Sequence, residues 1–182
     1  IEYGNSSNSI SYYDLYDQSS RLKNLFLKYN ISREDRVIIL MNDVVQYPVI
    51  FWGCLKSGVI PVLLNTLLSN EIINEIINDS RAKAVFITSN LLDSFNDLLT
   101  KNSNIQNIFE IGENSNYVNF IDEIKKCQIE STIDCSKDEV AFWLYSSGST
   151  GQPKGVKHVH GSLQNTYNTY GKQVLKLSLI HI

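Results

Sequence analysis

Five short apolar runs recur along this chain, at about 37–40, 59–64, 84–88, 105–111 and 140–144, with amphipathic stretches between them. That alternation is the strongest restriction on what the chain can fold into. Runs such as Val37-Ile38-Ile39-Leu40 and Val140-Ala141-Phe142-Trp143-Leu144 are β-branched or aromatic and have no polar face, which suits strands buried on both sides. The intervening stretches have helical spacing. Leu15, Leu22, Leu25, Phe26 and Tyr29 form one stripe over about 11–29, and Val45, Val49, Trp52, Cys54 and Leu55 form a second over about 44–57 that ends near Gly58. Ile72, Ile73, Ile76 and Ile77 form a third, with Ser69 as its N-cap; Ser11 or Asp14 would cap the first. Helices over 91–99 and 117–126 complete the series, the latter with Phe120, Ile121 and Ile124 inward. Helices and strands in this order predict an α/β layered fold with a mainly parallel sheet and flanking helices. Pro61 lacks a ladder donor, so it is expected at an edge strand or a strand end.

Residues 145–155, Tyr145-Ser146-Ser147-Gly148-Ser149-Thr150-Gly151-Gln152-Pro153-Lys154-Gly155, follow the last apolar run directly. Three glycines, three serines, one threonine and one lysine therefore fall within ten positions at the end of a strand. Glycine permits close backbone approach, successive amides converge on an anion, and lysine adds a point charge: this is the chemistry of a polyphosphate cradle. The spacing is not that of a Walker A loop, because Lys154 follows a proline and no helix begins after it. Val156-Lys157-His158-Val159-His160 alternates roughly as a strand does, so the prediction is strand, hydroxyl-rich loop, strand. A plain Gly/Ser hairpin turn is the competing reading of the composition alone.

This loop resembles the signature loop of the adenylate-forming enzymes, the superfamily of acyl-CoA synthetases, luciferases and adenylation domains that activate carboxylic acids with ATP. Within it the chain most resembles the aryl-CoA ligases of the benzoate-CoA ligase group. Gly58-Val59-Ile60-Pro61-Val62 through Asn65-Thr66-Leu67-Leu68, Asp79 to Ala84, His158-Val159-His160, Leu163-Gln164, Thr169-Tyr170-Gly171 and Val174-Leu175 are similar to segments of that group. The resemblance runs over most of residues 10 to 176. It implies the N-terminal part of an AMP-binding adenylation domain, with residues 1–176 incomplete as a domain. It also implies that Ser146, Ser147, Gly148, Ser149, Thr150, Gly151, Pro153, Lys154 and Gly155 hold the ATP phosphates, with Lys154 and Thr150 in catalytic roles. The implied partners are a carboxylic acid, aromatic in this group, ATP with Mg²⁺, and coenzyme A as acyl acceptor. A second nucleotide motif, a ribose-binding aspartate, the acyl pocket and an adenylation lysine would lie beyond residue 176, so the chain alone is expected to be inactive. Two alternatives stay open: another acid-CoA ligase or a carrier-protein-loading adenylation domain, and a non-enzymatic α/β binding module.

Composition excludes some other classes. With 43% hydrophobic residues, 19% charged residues and a net charge of −3, the 182 residues have no basic excess that would call for nucleic acid. No run of about 18 apolar residues is available for a membrane span. The opening residues lack a signal-peptide core, which points to the cytoplasm. Cys54, Cys127 and Cys135 have neither paired nor metal-ligand spacing and are expected as isolated, reduced, partly buried thiols. Ile1 stands where an initiator methionine would, and residues 177–182 break the preceding helical pattern. We expect a non-native tail or truncation scar there, resembling a translated sequencing adapter, with an apolar strand start as the alternative.

Other residues are given plainer roles. His158 and His160 are two apart and would share one strand face, a weak metal signal without a third ligand, so no metal site is assigned. Tyr167, Tyr170, Leu163 and Val174 are expected as the buried stripe of a helix, and Trp143 as core. The abundant asparagines, notably over 102–119, are attributed to composition and solvated loops.

Overall fold

The computed structural model describes residues 9–112, 117–147 and 152–177. In chain order the elements are α1 (Tyr12–Lys28), β1 (Arg36–Leu40), α2 (Gln46–Ser57), β2 (Ile60–Leu63), α3 (Asn70–Ser80) and β3 (Ala84–Thr88). They continue with α4 (Leu92–Lys101), β4 (Asn107–Ile111), β5 (Val118–Asn119), α5 (Phe120–Lys126), β6 (Val140–Ser147), β7 (Pro153–Val159) and α6 (His160–Thr166). The strands form one sheet in the order β5-β4-β3-β1-β2-β6-β7. Every neighbouring pair is parallel except β6 with β7. The α/β layered expectation therefore holds.

Strand alternation sorts the apolar runs into two large cores and a smaller cluster of Leu55, Ala141 and Phe142. In β1, Val37 and Ile39 join Leu22, Leu25 and Phe26 of α1 and Val49 and Ile50 of α2 on one face. Ile38 and Leu40 point the other way, to Ile73, Ile76 and Ile77 of α3 and Phe95 and Leu99 of α4. A continuous apolar run is thus what a strand covered on both faces requires. Phe86 of β3 anchors the first core: it stacks on Phe109 at 4.8 Å and meets Phe26 and Phe120 edge-on.

The helix boundaries follow from local chemistry. Ser11 Oγ accepts the Asp14 N–H at 3.0 Å and Ser69 Oγ accepts that of Ile72, as expected of N-caps. Asn119 does the same for α5, accepting the Asp122 N–H at 3.0 Å. Gly58 ends α2 in the left-handed region at φ 69°.

Several expectations are corrected. Of the two places expected for Pro61, the edge strand is ruled out because β2 lies between β1 and β6, while the strand end holds, Pro61 being the second residue of β2. It sits near the strand start, before the pairing with β6 begins at Val62 and Trp143, so that neighbour's ladder needs no N–H from it. Residues 118–119 form the edge strand β5, and the helix expected from 117 starts at Phe120. His158 and His160 do not share a strand face, because His160 is already the first residue of α6. Tyr167–Val174 winds as a π-helix, and Tyr167, Tyr170 and Val174 are exposed rather than buried. Trp143 is half-buried against the α3-side core.

The asparagines also do more than fill loops. Asn102 donates to Asn74 and Asn78 of α3, Asn104 donates to Asn78, and Asn119 donates to the Gly112 carbonyl. Cys54 and Cys127 are buried and Cys135 half-buried, all as free thiols, and burial pushes the Cys54 thiol far up from its ordinary value. Among the described residues no helix is long and apolar enough to cross a membrane.

Candidate functional site

The candidate site is the antiparallel hairpin of β6 and β7, which carries the two legs of the glycine- and hydroxyl-rich loop. The register sets Tyr145 opposite Gly155, Ser146 opposite Lys154, and Ser147 opposite Pro153. Because β6 runs parallel to β2, and β2 to β1, the loop emerges at the carboxyl end of the parallel strands. In open α/β sheets that is where ligands bind.

Of the sequence-predicted site residues, the structure brings Ser146, Ser147, Pro153, Lys154 and Gly155 together on the paired end of this hairpin. Gly148, Ser149, Thr150 and Gly151 lie outside the described residues. Ser146 and Lys154 are both exposed, and Lys154 makes no hydrogen bond or ion pair with another described residue. From paired positions on one face the hairpin thus presents a hydroxyl and an ammonium to solvent, both able to meet an anion.

The other face of the hairpin packs inward. Tyr145 and Trp143 lie against the α3-side core. The Tyr145 hydroxyl donates to Asp79 Oδ2 at 2.5 Å, tying β6 to the last turn of α3. Burial, reinforced by that carboxylate, holds the Tyr145 hydroxyl well above its ordinary range, so it stays protonated as the donor. A Cβ on Gly155 would fall 3.1 Å from the Tyr145 ring, so any larger residue there would push the ring back by a few tenths of an ångström. The Lys157 ammonium sits 5.3 Å from the centre of the Trp143 ring. On the face that carries Ser146 and Lys154, His158 stacks on Phe142 with centroids 4.7 Å apart.

The sequence reading did not assign roles to Asp79 or to the Tyr145 hydroxyl. The two are 66 positions apart, and no periodicity links them. The one available signal was that Asp79 and Tyr145 both lie in segments carrying the family resemblance.

The chain is similar to known proteins in sequence and in fold. The AMP-binding enzyme family matches residues 1–181. A 4-hydroxybenzoate--CoA/benzoate--CoA ligase of Rhodopseudomonas palustris is 30% identical over 168 residues, which are 91% of this chain and 31% of that protein. A benzoate--CoA ligase of Thauera aromatica is 32% identical over 145 residues, 78% of this chain and 27% of that protein. The crystal structure of a benzoate CoA ligase from Burkholderia xenovorans LB400 superposes with a TM-score of 0.86 at 27% identity, covering 95% of this chain and 34% of that one. The chain therefore spans about a third of the length of these relatives.

Proposed function

This chain belongs to the AMP-binding enzyme family, and from that premise we propose that it is the phosphate-gripping part of an ATP-dependent aromatic acid-CoA ligase. The observation that carries this reading is Ser146 paired with Lys154 at the carboxyl end of the sheet, on the two legs of the loop. The aromatic acid is supported by what the Rhodopseudomonas, Thauera and Burkholderia proteins are named for.

The acid carboxylate would attack the α-phosphorus of ATP, forming acyl-AMP as the bond to pyrophosphate breaks. The acyl group would then pass to the CoA thiol, giving the thioester and AMP. Negative charge grows on the departing pyrophosphate in the first step, and donors already in place lower its cost. The hydroxyls of Ser146, Ser147, Ser149 and Thr150 and the amides of Gly148 and Gly151 would hold the β- and γ-phosphate oxygens. Lys154 would supply the cation. Pro153 and Gly155 would set the backbone on either side of it.

Mg²⁺ would accompany the nucleotide through its phosphate oxygens. Among the described residues no group of three His, Cys, Asp or Glu side chains is arranged to hold a metal ion, so no step is assigned to the ion on this chain's own side chains. The 182 residues alone would hold only part of the nucleotide and would not turn over.

The test is made on the full-length protein that carries this segment, with Mg-ATP, CoA and a panel of benzoate, hydroxybenzoates, cyclohexanecarboxylate and fatty acids. CoA-dependent thioester with benzoate-type acids supports the proposal. Thioester with fatty acids only would overturn the aromatic assignment, and pyrophosphate exchange without CoA transfer would point to a carrier-protein-loading enzyme. The inactivity of the short chain fails if it turns over ATP above a Lys154→Ala control.

A further inference from the structure

We propose that Tyr145 and Asp79 form a brace that positions Ser146 and Lys154 for the nucleotide phosphates, so that both are positioning residues of the ligase reaction. The inference rests on the ligase reading above and adds to it a pair of residues that lie outside the phosphate cradle itself.

Three observations converge. The Tyr145 hydroxyl donates to Asp79 Oδ2 at 2.5 Å, joining the residue next to Ser146 to the end of α3. The same ring presses on Gly155, the residue next to Lys154, where an added Cβ would meet ring and hydroxyl at 3.1 and 3.2 Å. The end of α3 is itself fixed to the sheet, because Arg36 at the start of β1 donates from Nε to the Ser80 carbonyl at 2.6 Å. One side chain therefore touches both legs of the loop and hands their position to the rigid β1–α3 frame. The pairing of β6 with β2 reaches only to Leu144, so the brace adds a restraint to the residues beyond it, and a small misplacement of a phosphate donor loosens its hold on the nucleotide.

The experiment compares Tyr145→Phe, Asp79→Ala and Asp79→Asn in the full-length protein. Steady-state kinetics are combined with hydrogen–deuterium exchange over peptides spanning 146–155. Tyr145→Phe removes only the donor, and Asp79→Ala only the acceptor. Asp79→Asn keeps an acceptor oxygen and should restore function. The expected result is a rise in KM for ATP on the order of tenfold in Tyr145→Phe and Asp79→Ala, with KM for the acid unchanged and only a small fall in melting temperature. The double variant should be no worse than the weaker single variant, because both remove one interaction. Exchange over 146–155 should quicken in both variants and leave β1 and β3 unaffected.

An unchanged KM for ATP with unchanged exchange overturns the brace. So does an equal effect on ATP, acid and melting temperature, which would make the pair merely structural. If the unaltered protein releases no pyrophosphate from ATP with any acid, the ligase reading fails on its own. Exchange then decides the brace: faster exchange confined to 146–155 upholds it, and none refutes it.

Discussion

The imidazole of His158 lies flat on the ring of Phe142, with centroids 4.7 Å apart and planes 1° from parallel. The two are cross-strand partners in β6 and β7, and Phe142 carries the stack into the cluster formed with Leu55 and Ala141. His158 is thereby committed to packing the hairpin, while His160 starts a helix with its N–H on the Glu139 carbonyl. His158→Ala should cost about 1 kcal/mol of stability and His158→Phe much less, as an aromatic cross-strand pair predicts. Adding a chelator to the nucleotide-free protein should leave its melting curve unmoved. Chemical denaturation of the three proteins, with and without chelator, checks both.

Glu123 couples α5 to α1 and makes stability depend on acid. It accepts from Lys126 at 2.6 Å, from Lys28, and from the Tyr29 hydroxyl at 3.2 Å. The Lys126 hydrogen bond, then that of Lys28, pulls its pKa from the usual 4.5 down to about 2, against the opposing effect of burial. The folded pKa lies below the unfolded one, so this stabilisation is present above about pH 4.5 and is lost as the pH falls toward 2. Both lysines are largely exposed, which limits the cluster to about 1 kcal/mol. Glu123→Gln should therefore melt lower than the parent at pH 7, and the difference should close below pH 4.5 in a thermal series.

Gly58 is a second point of sensitivity. Its φ of 69° is costly for any residue with a side chain, and an added Cβ would fall 2.2 Å from Ile133 Cδ1. Gly58→Ala should destabilise the chain by about 1 kcal/mol or more, measured by urea denaturation. An unchanged midpoint would show that Ile133 and the α2 end adjust freely.

Sequence patterns carried the layers well, for a physical reason. β1 and β3 are buried on both faces, so their apolar runs are uninterrupted, and Ser11 and Ser69 cap because a local hydroxyl meets a free N–H. Pro61 shows the limit of reasoning from one missing donor: its neighbour β6 begins pairing one residue later, so an interior strand tolerates it. The stripe of Tyr167, Tyr170 and Val174 shows another limit. Spacing tells which residues share a face but not what covers it, and here those residues are exposed. In the site, the first leg of the loop was readable because the β6 run is apolar; β7 is exposed from Lys154 to Lys157, so its strand comes from pairing with β6 rather than from one buried face. The Tyr145 to Asp79 bond was not readable, since it joins elements that only the tertiary fold brings together.

The central claim is that Lys154 and the hydroxyls beside it stabilise charge on a departing pyrophosphate. The most direct measurement is benzoate-dependent exchange of labelled pyrophosphate into ATP, made on the full-length protein and its Lys154→Ala variant. Loss of one preorganised donor should slow exchange by about 10²–10³, or about 2.7–4 kcal/mol, with the melting temperature unchanged. Equal exchange by the two proteins, or exchange that does not require the acid, would contradict the account.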